Sequence, residues 1–149
     1  MTMPVSDHLV ATLRAFLEGN KARYNDLLAQ TDQQVDGLGY SALITAAFFE
    51  AVDRRFAKQA TRADVVEYVA DVRSRSEDVA AAVDPQVAER LVREVLGDGS
   101  TDDVDGRTSS STKMYLLAAL MVDARLDSTS MDEFIAKVRK MADHLITAA

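Results

Sequence analysis

The sequence predicts an all-α fold, a single compact bundle of about seven helices over residues 1–149, on three observations. Apolar side chains recur at three- and four-residue intervals along nearly the whole chain. No stretch alternates apolar and polar residues for long enough to build a half-buried strand. Capping and breaking residues stand where the periodic stretches begin and stop. A domain of this length buries roughly 70% of the surface that its unfolded chain exposes, so it needs no disulfide or structural metal.

The first helix runs from about Asp7 to Glu18, with Leu9, Val10, Leu13, Phe16 and Leu17 on one face; Gly19 and Asn20 end it because both tolerate positive φ. A second, about Lys21 to Val35, places Tyr24, Leu27, Leu28, Thr31 and Val35 together, and the Asp36-Gly37-Leu38-Gly39 segment is expected to turn. Ser41 then caps a third helix over 42–59. Apolar residues there (Leu43, Ile44, Ala47, Phe48, Phe49, Val52, Phe56) spread beyond one stripe, so this helix is expected at the centre. Thr61 and Asp64 have capping-box spacing and open a fourth helix burying Val65, Val66, Val69 and Val72; it frays or bends at 73–76. Asp84-Pro85 supplies a cap oxygen and a proline at the first helical position, opening a fifth helix that stops at Gly97.

Residues 97–111 carry no periodicity and are rich in Asp, Ser and Gly, which predicts a long acidic loop. The sixth helix, 112–126, is apolar on every side from Met114 to Val122 and is expected to be the second central element and the most buried. Ser130 and Glu133 form a second capping-box pattern, opening a seventh helix with Phe134, Ile135, Val138, Met141, Ala142, Leu145 and Ile146 in one stripe.

Composition excludes several chemistries. Cysteine is absent and histidine occurs twice, at His8 and His144, so thiol catalysis, thiolate metal sites and His-based metal centres lack their parts. The formal net charge is −7, from 17 basic and 24 acidic residues, and no basic patch with interleaved aromatics offsets it; nucleic acid is not an expected partner. The N-terminal stretch shows no basic region followed by an apolar one, so a cytoplasmic location is expected. The longest apolar run, Met114 to Val122, is far shorter than the ~20 residues of a spanning helix, and no membrane partner is expected.

Within the loop, Asp102, Asp103 and Asp105 are weak candidates for a metal site: aligned on an EF-hand, the first carboxylate and the bidentate glutamate are missing. Thr108 to Thr112 stand beside Arg107 where a phosphate would meet a helix N-terminus. The pairs Glu50 with Asp53 and Glu67 with Asp71 read as solvated faces near Arg54 and Arg75, since no Glu-x-x-His accompanies them. Asp143-His144 lacks the further ligands of a hydrolytic metal site. Neither a Gly-x-Ser-x-Gly elbow nor a glycine-rich phosphate loop is present, so no catalytic residue and no cofactor are assigned.

Arg55 falls in the apolar arc of the third helix and Asp123 near the end of the sixth, where a charge must pair or snorkel. Two outcomes follow: an Arg55–Asp123 pair, or Arg55 reaching solvent at its helix C-terminus. Lys137, Arg139 and Lys140 form a local basic cluster that suits an acidic partner. The expected function is a non-catalytic interaction or regulatory module whose partner is another protein or a second copy in a homodimer. The alternative is a small-molecule sensor with a pocket between the two central helices, lined by Tyr40, Phe48, Phe49, Arg55, Tyr115, Met121 and Asp123. A carboxylate-only metal enzyme is the third reading.

Overall fold

The computed structural model describes residues 5–56 and 60–148. Within them the protein is all-α: eight helices and no strand. They are α1 (Asp7–Leu17), α2 (Lys21–Ala29), α3 (Gln33–Arg55), α4 (Arg62–Arg73), α5 (Glu77–Ala82), α6 (Pro85–Val95), α7 (Gly106–Ala124) and α8 (Ser128–Ala148). Two compact units result, one from residues 1–50 and 124–149, the other from 51–123.

In the first unit α1 packs on α2 and α8. Leu9, Leu13, Leu43, Phe48, Phe134 and Val138 are among its buried side chains. Ser6 caps α1 by accepting from Leu9 N. The residue before it is tied to α8: Val5 N donates to Asp143 Oδ1 at 2.6 Å, and Arg139 donates to Val5 O at 2.8 Å.

The expected turn at 36–39 is instead part of α3. The helix starts at Asp32, whose carboxylate accepts from Gln34 N and whose carbonyl accepts from Val35 and Asp36. Gly39 is there for space, since a Cβ on it would come within 3.0 Å of Leu9 Cδ1 on α1. Consequently α2 ends at Ala29, Ser41 lies inside α3 rather than capping it, and Val35 and Leu38 are exposed. The last three positions of the expected 42–59 helix, 57–59, lie outside the described residues. By length and composition α3 is also the one described helix able to cross a membrane, with half of the qualifying stretch buried inside the protein.

In the second unit α4 packs on α5 and α6 around Val65, Val69, Val72, Leu91, Val92, Leu116 and Leu117. Thr61 and Asp64 form the predicted capping box with both bonds present. Asp84 caps α6 by accepting from Gln86 N and Val87 N, with Pro85 at the first position. Ser76 caps the short α5, so the chain bends at 74–76.

Two expected boundaries move. Helix α7 begins at Gly106 rather than 112, because Asp105 accepts from Thr108 N at 2.8 Å and caps it; the loop is correspondingly shorter. Helix α8 begins at Ser128, where Asp127 accepts from Ser130 N, so the Ser130–Glu133 pattern sits inside the helix. Nor is α7 the most buried element: Leu116, Leu117, Leu120 and Met121 are buried, yet Tyr115 and Val122 face outward. An all-apolar stretch still presents one face to the core, and the other stays wet where no neighbour reaches it.

Candidate functional site

Helix α4 carries Asp64, Glu67, Tyr68 and Asp71 at intervals of three, one and three, which brings all four to one side. With Arg55, Phe56 and Ala60 they line a cleft of about 550 Å³ in the second unit. Tyr68 and Phe56 make an aromatic floor, their rings edge-on with centroids 5.5 Å apart. Both are buried, whereas the three acids are exposed at the rim.

The Tyr68 hydroxyl donates to Asp123 Oδ2 at 3.1 Å. Burial, reinforced by the Asp123 carboxylate, pushes this phenol well above its ordinary pKa, so it stays protonated and remains a donor. The hydrogen bond from Arg75 at 2.8 Å holds Asp123 below the usual carboxylate range. Arg75 also reaches Asp71 at 2.8 Å. The chain Asp71–Arg75–Asp123–Tyr68 therefore fixes the aromatic ring from behind.

Arg55 differs from Arg75. Its guanidinium carbon lies 4.9 Å from the Tyr68 ring centroid and 5.2 Å from that of Phe56, a cation–π contact with each. Asp123 is paired with Arg75, not with Arg55, and Arg55 is exposed at the end of α3. Of the two outcomes drawn from the sequence, Arg55 takes the second: it is exposed at the end of α3, with its guanidinium over the two rings.

The remaining candidates are divided between the two units. Tyr40 belongs to the first unit, where its hydroxyl is 2.6 Å from that of Tyr24. Phe48 is a fully buried core residue of that unit, and Phe49 beside it is exposed. Tyr115 is exposed on α7 and Met121 buried. Only Arg55 and Asp123 among these seven meet at the cleft, each through Tyr68.

In the loop, Arg90 pairs with Asp103 and donates to Ser100 O at 2.8 Å. Glu94 accepts from Thr101 N at 2.8 Å, and Arg93 pairs with Asp98 at 3.1 Å. Asp105 is spent on its cap and Asp102 is exposed. Among the described residues no group of three or more potential ligands is placed to hold a metal ion. Thr108 donates its hydroxyl to Asp105, and Thr112 is buried.

Two charged groups stand differently from expectation. Glu50 is buried, not solvated, and pairs with Lys137 at 2.9 Å in the first unit. Arg139 is engaged by Asp7 at 2.8 Å and by Val5 O. Of the expected basic cluster, two members therefore serve the unit's own packing, because α8 turns that face toward α1 and α3. His144 is exposed as expected, and His8 Nε2 sits 3.0 Å from both Leu27 O and Thr31 Oγ1.

The chain matches no protein-family model, no curated protein and no solved structure.

Sequence reasoning missed Tyr68 and Phe56 as site residues. The signal was available in the spacing of Asp64, Glu67, Tyr68 and Asp71, but a carboxylate face on an exposed helix reads the same with or without a cleft beside it.

Proposed function

We propose that this chain is a cytoplasmic, non-catalytic interaction module that docks a basic segment of a partner protein in the cleft beside Tyr68. One observation supports this reading above others: an aromatic floor already bearing a cation, rimmed by three carboxylates. Aromatic faces attract guanidinium and ammonium groups through their quadrupole, and carboxylates above them add charge and hydrogen-bond acceptors. Glu67 is exposed and makes no bond with another described residue, so it stands ready as an acceptor. An anionic ligand is disfavoured there, since three acids outnumber the single guanidinium lining the cleft.

The test is a titration of ¹⁵N-labelled protein with a short Gly/Arg peptide. Saturable shift changes should concentrate on the amides of 60–71 and shrink in Glu67→Gln. Changes scattered over the whole acidic surface and indifferent to Glu67→Gln would refute the reading, since a net charge of −7 draws any polycation weakly.

A second copy of the chain is the other partner we propose, on the exposure of Val35 (76%) and Leu38 (65%), three residues apart on α3. Leu38→Asp should abolish any dimer seen by sedimentation; a wild-type mass that stays monomeric at millimolar protein removes this reading.

A further inference from the structure

The aromatic floor of the cleft is occupied in the free protein by the chain's own Arg55. Its guanidinium covers the Tyr68 and Phe56 rings, the surface a partner's cation would use. How weakly it is held is the telling feature. Arg73 is anchored by Val83 O at 2.8 Å and Ala80 O at 3.0 Å, and Arg75 by two carboxylates. The Arg55 side chain makes no hydrogen bond or ion pair with a described residue and feels Asp123 only through space, although Asp64, Glu67 and Asp71 line the same cleft. It is the last residue of α3 and is exposed.

We propose that Arg55 is an intramolecular stand-in for the partner's guanidinium: it covers the rings in the free protein and is displaced when a partner's arginine enters. This rests on the reading of the cleft as a dock for a basic segment. Two guanidinium groups repel each other and cannot share one ring face, so entry of one requires departure of the other. The stand-in raises the threshold for binding. A lone lysine, which offers no planar group to stack, competes with it less well than an arginine does.

The experiment follows the Arg55 side-chain Nε–H signal by NMR while a short Gly/Arg peptide is added. In the free protein this signal is expected to be ring-current shifted, and it should move to the position of a solvated arginine at saturation. Arg55→Ala should bind the peptide about five- to thirtyfold more tightly, as expected from releasing two exposed cation–π contacts. Arg62→Gln, which removes an exposed charge from the first turn of α4 without touching the rings, separates this effect from simple charge removal and should gain less than twofold. Circular dichroism of Arg55→Ala verifies that it folds. A ring-current shift that persists at saturating peptide, or equal affinities of wild type and Arg55→Ala, overturns the stand-in while the dock survives. Failure of both proteins to bind at the cleft overturns the stand-in and the dock together.

Discussion

Replacing Lys137 by Met tests whether the buried carboxylate of Glu50 depends on its partner across the first unit. Glu50 is 2% exposed, and Lys137 Nζ lies 2.9 Å from its Oε1. At an effective dielectric constant of about 20 the gross attraction at this distance is about 6 kcal/mol, most of it offset by the several kcal/mol needed to desolvate the carboxylate. Removing one partner of a fully buried pair costs about 3–5 kcal/mol. Lys137 is half exposed, so water relieves part of that, and about 2 kcal/mol is expected. Methionine keeps the length of the stem, so little packing is lost. In a protein of this size 1 kcal/mol moves the midpoint by about 2–4 °C, giving a fall of about 4–8 °C in a thermal melt followed by circular dichroism. Adding Glu50→Gln to Lys137→Met should restore about 1 kcal/mol, because a neutral amide costs less to bury than a charge. The reasoning fails if Lys137→Met melts within about 1 °C of wild type, or if the double variant melts below both single ones.

Four other outcomes are expected. Thr61→Ala removes the hydroxyl side of the α4 capping box and should cost about 1 kcal/mol in urea unfolding; a change below 0.3 kcal/mol, on the order of the scatter between measurements, would show that the cap contributes nothing. Gly39→Val drives a branched side chain into Leu9 and should cost about 2–3 kcal/mol, with Leu9→Ala then less damaging in that background than in wild type; simple additivity in a double-mutant cycle would contradict the contact. Because the folded-state pKa of Asp123 is depressed, its stabilisation is present above the ordinary aspartate value of about 4 and is lost as pH falls through the folded value. Asp123→Asn should therefore flatten the acid limb of the stability curve, and an unchanged limb measured between pH 5 and 2 would exclude the Arg75 pair as its source. Finally, Arg90→Ala releases Ser100 O and Asp103, so the Thr101 amide should exchange with solvent about tenfold faster; unchanged exchange would mean that Glu94 alone holds the loop.

Much of the candidate site was illegible for a plain physical reason. The face formed by Asp64, Glu67, Tyr68 and Asp71 follows from helical spacing, and the Asp71–Arg75 pair is a four-residue neighbour contact. That Phe56 closes the floor and Asp123 supports Tyr68 depends on contacts across 12 and 55 positions of sequence. The pocket expected between the two central helices combined residues that the fold distributes over two units, Tyr40, Phe48 and Phe49 in one and Arg55, Tyr115, Met121 and Asp123 in the other.

What the amino-acid order determined by itself is what short-range physics decides: helical class from apolar spacing, and the starts of α4 and α6 from cap oxygens three residues or fewer from the amides they satisfy. Tertiary structure alone decided the rest. Gly37 and Gly39 read locally as a turn, yet α3 runs through both, and at Gly39 a Cβ would come within 3.0 Å of Leu9 Cδ1 on α1. Glu50 reads as a solvated acid, yet it is buried and pairs with Lys137, 87 positions away. Local rules weigh conformational cost within a few residues, whereas burial and pairing are settled by whichever distant element the fold sets against them.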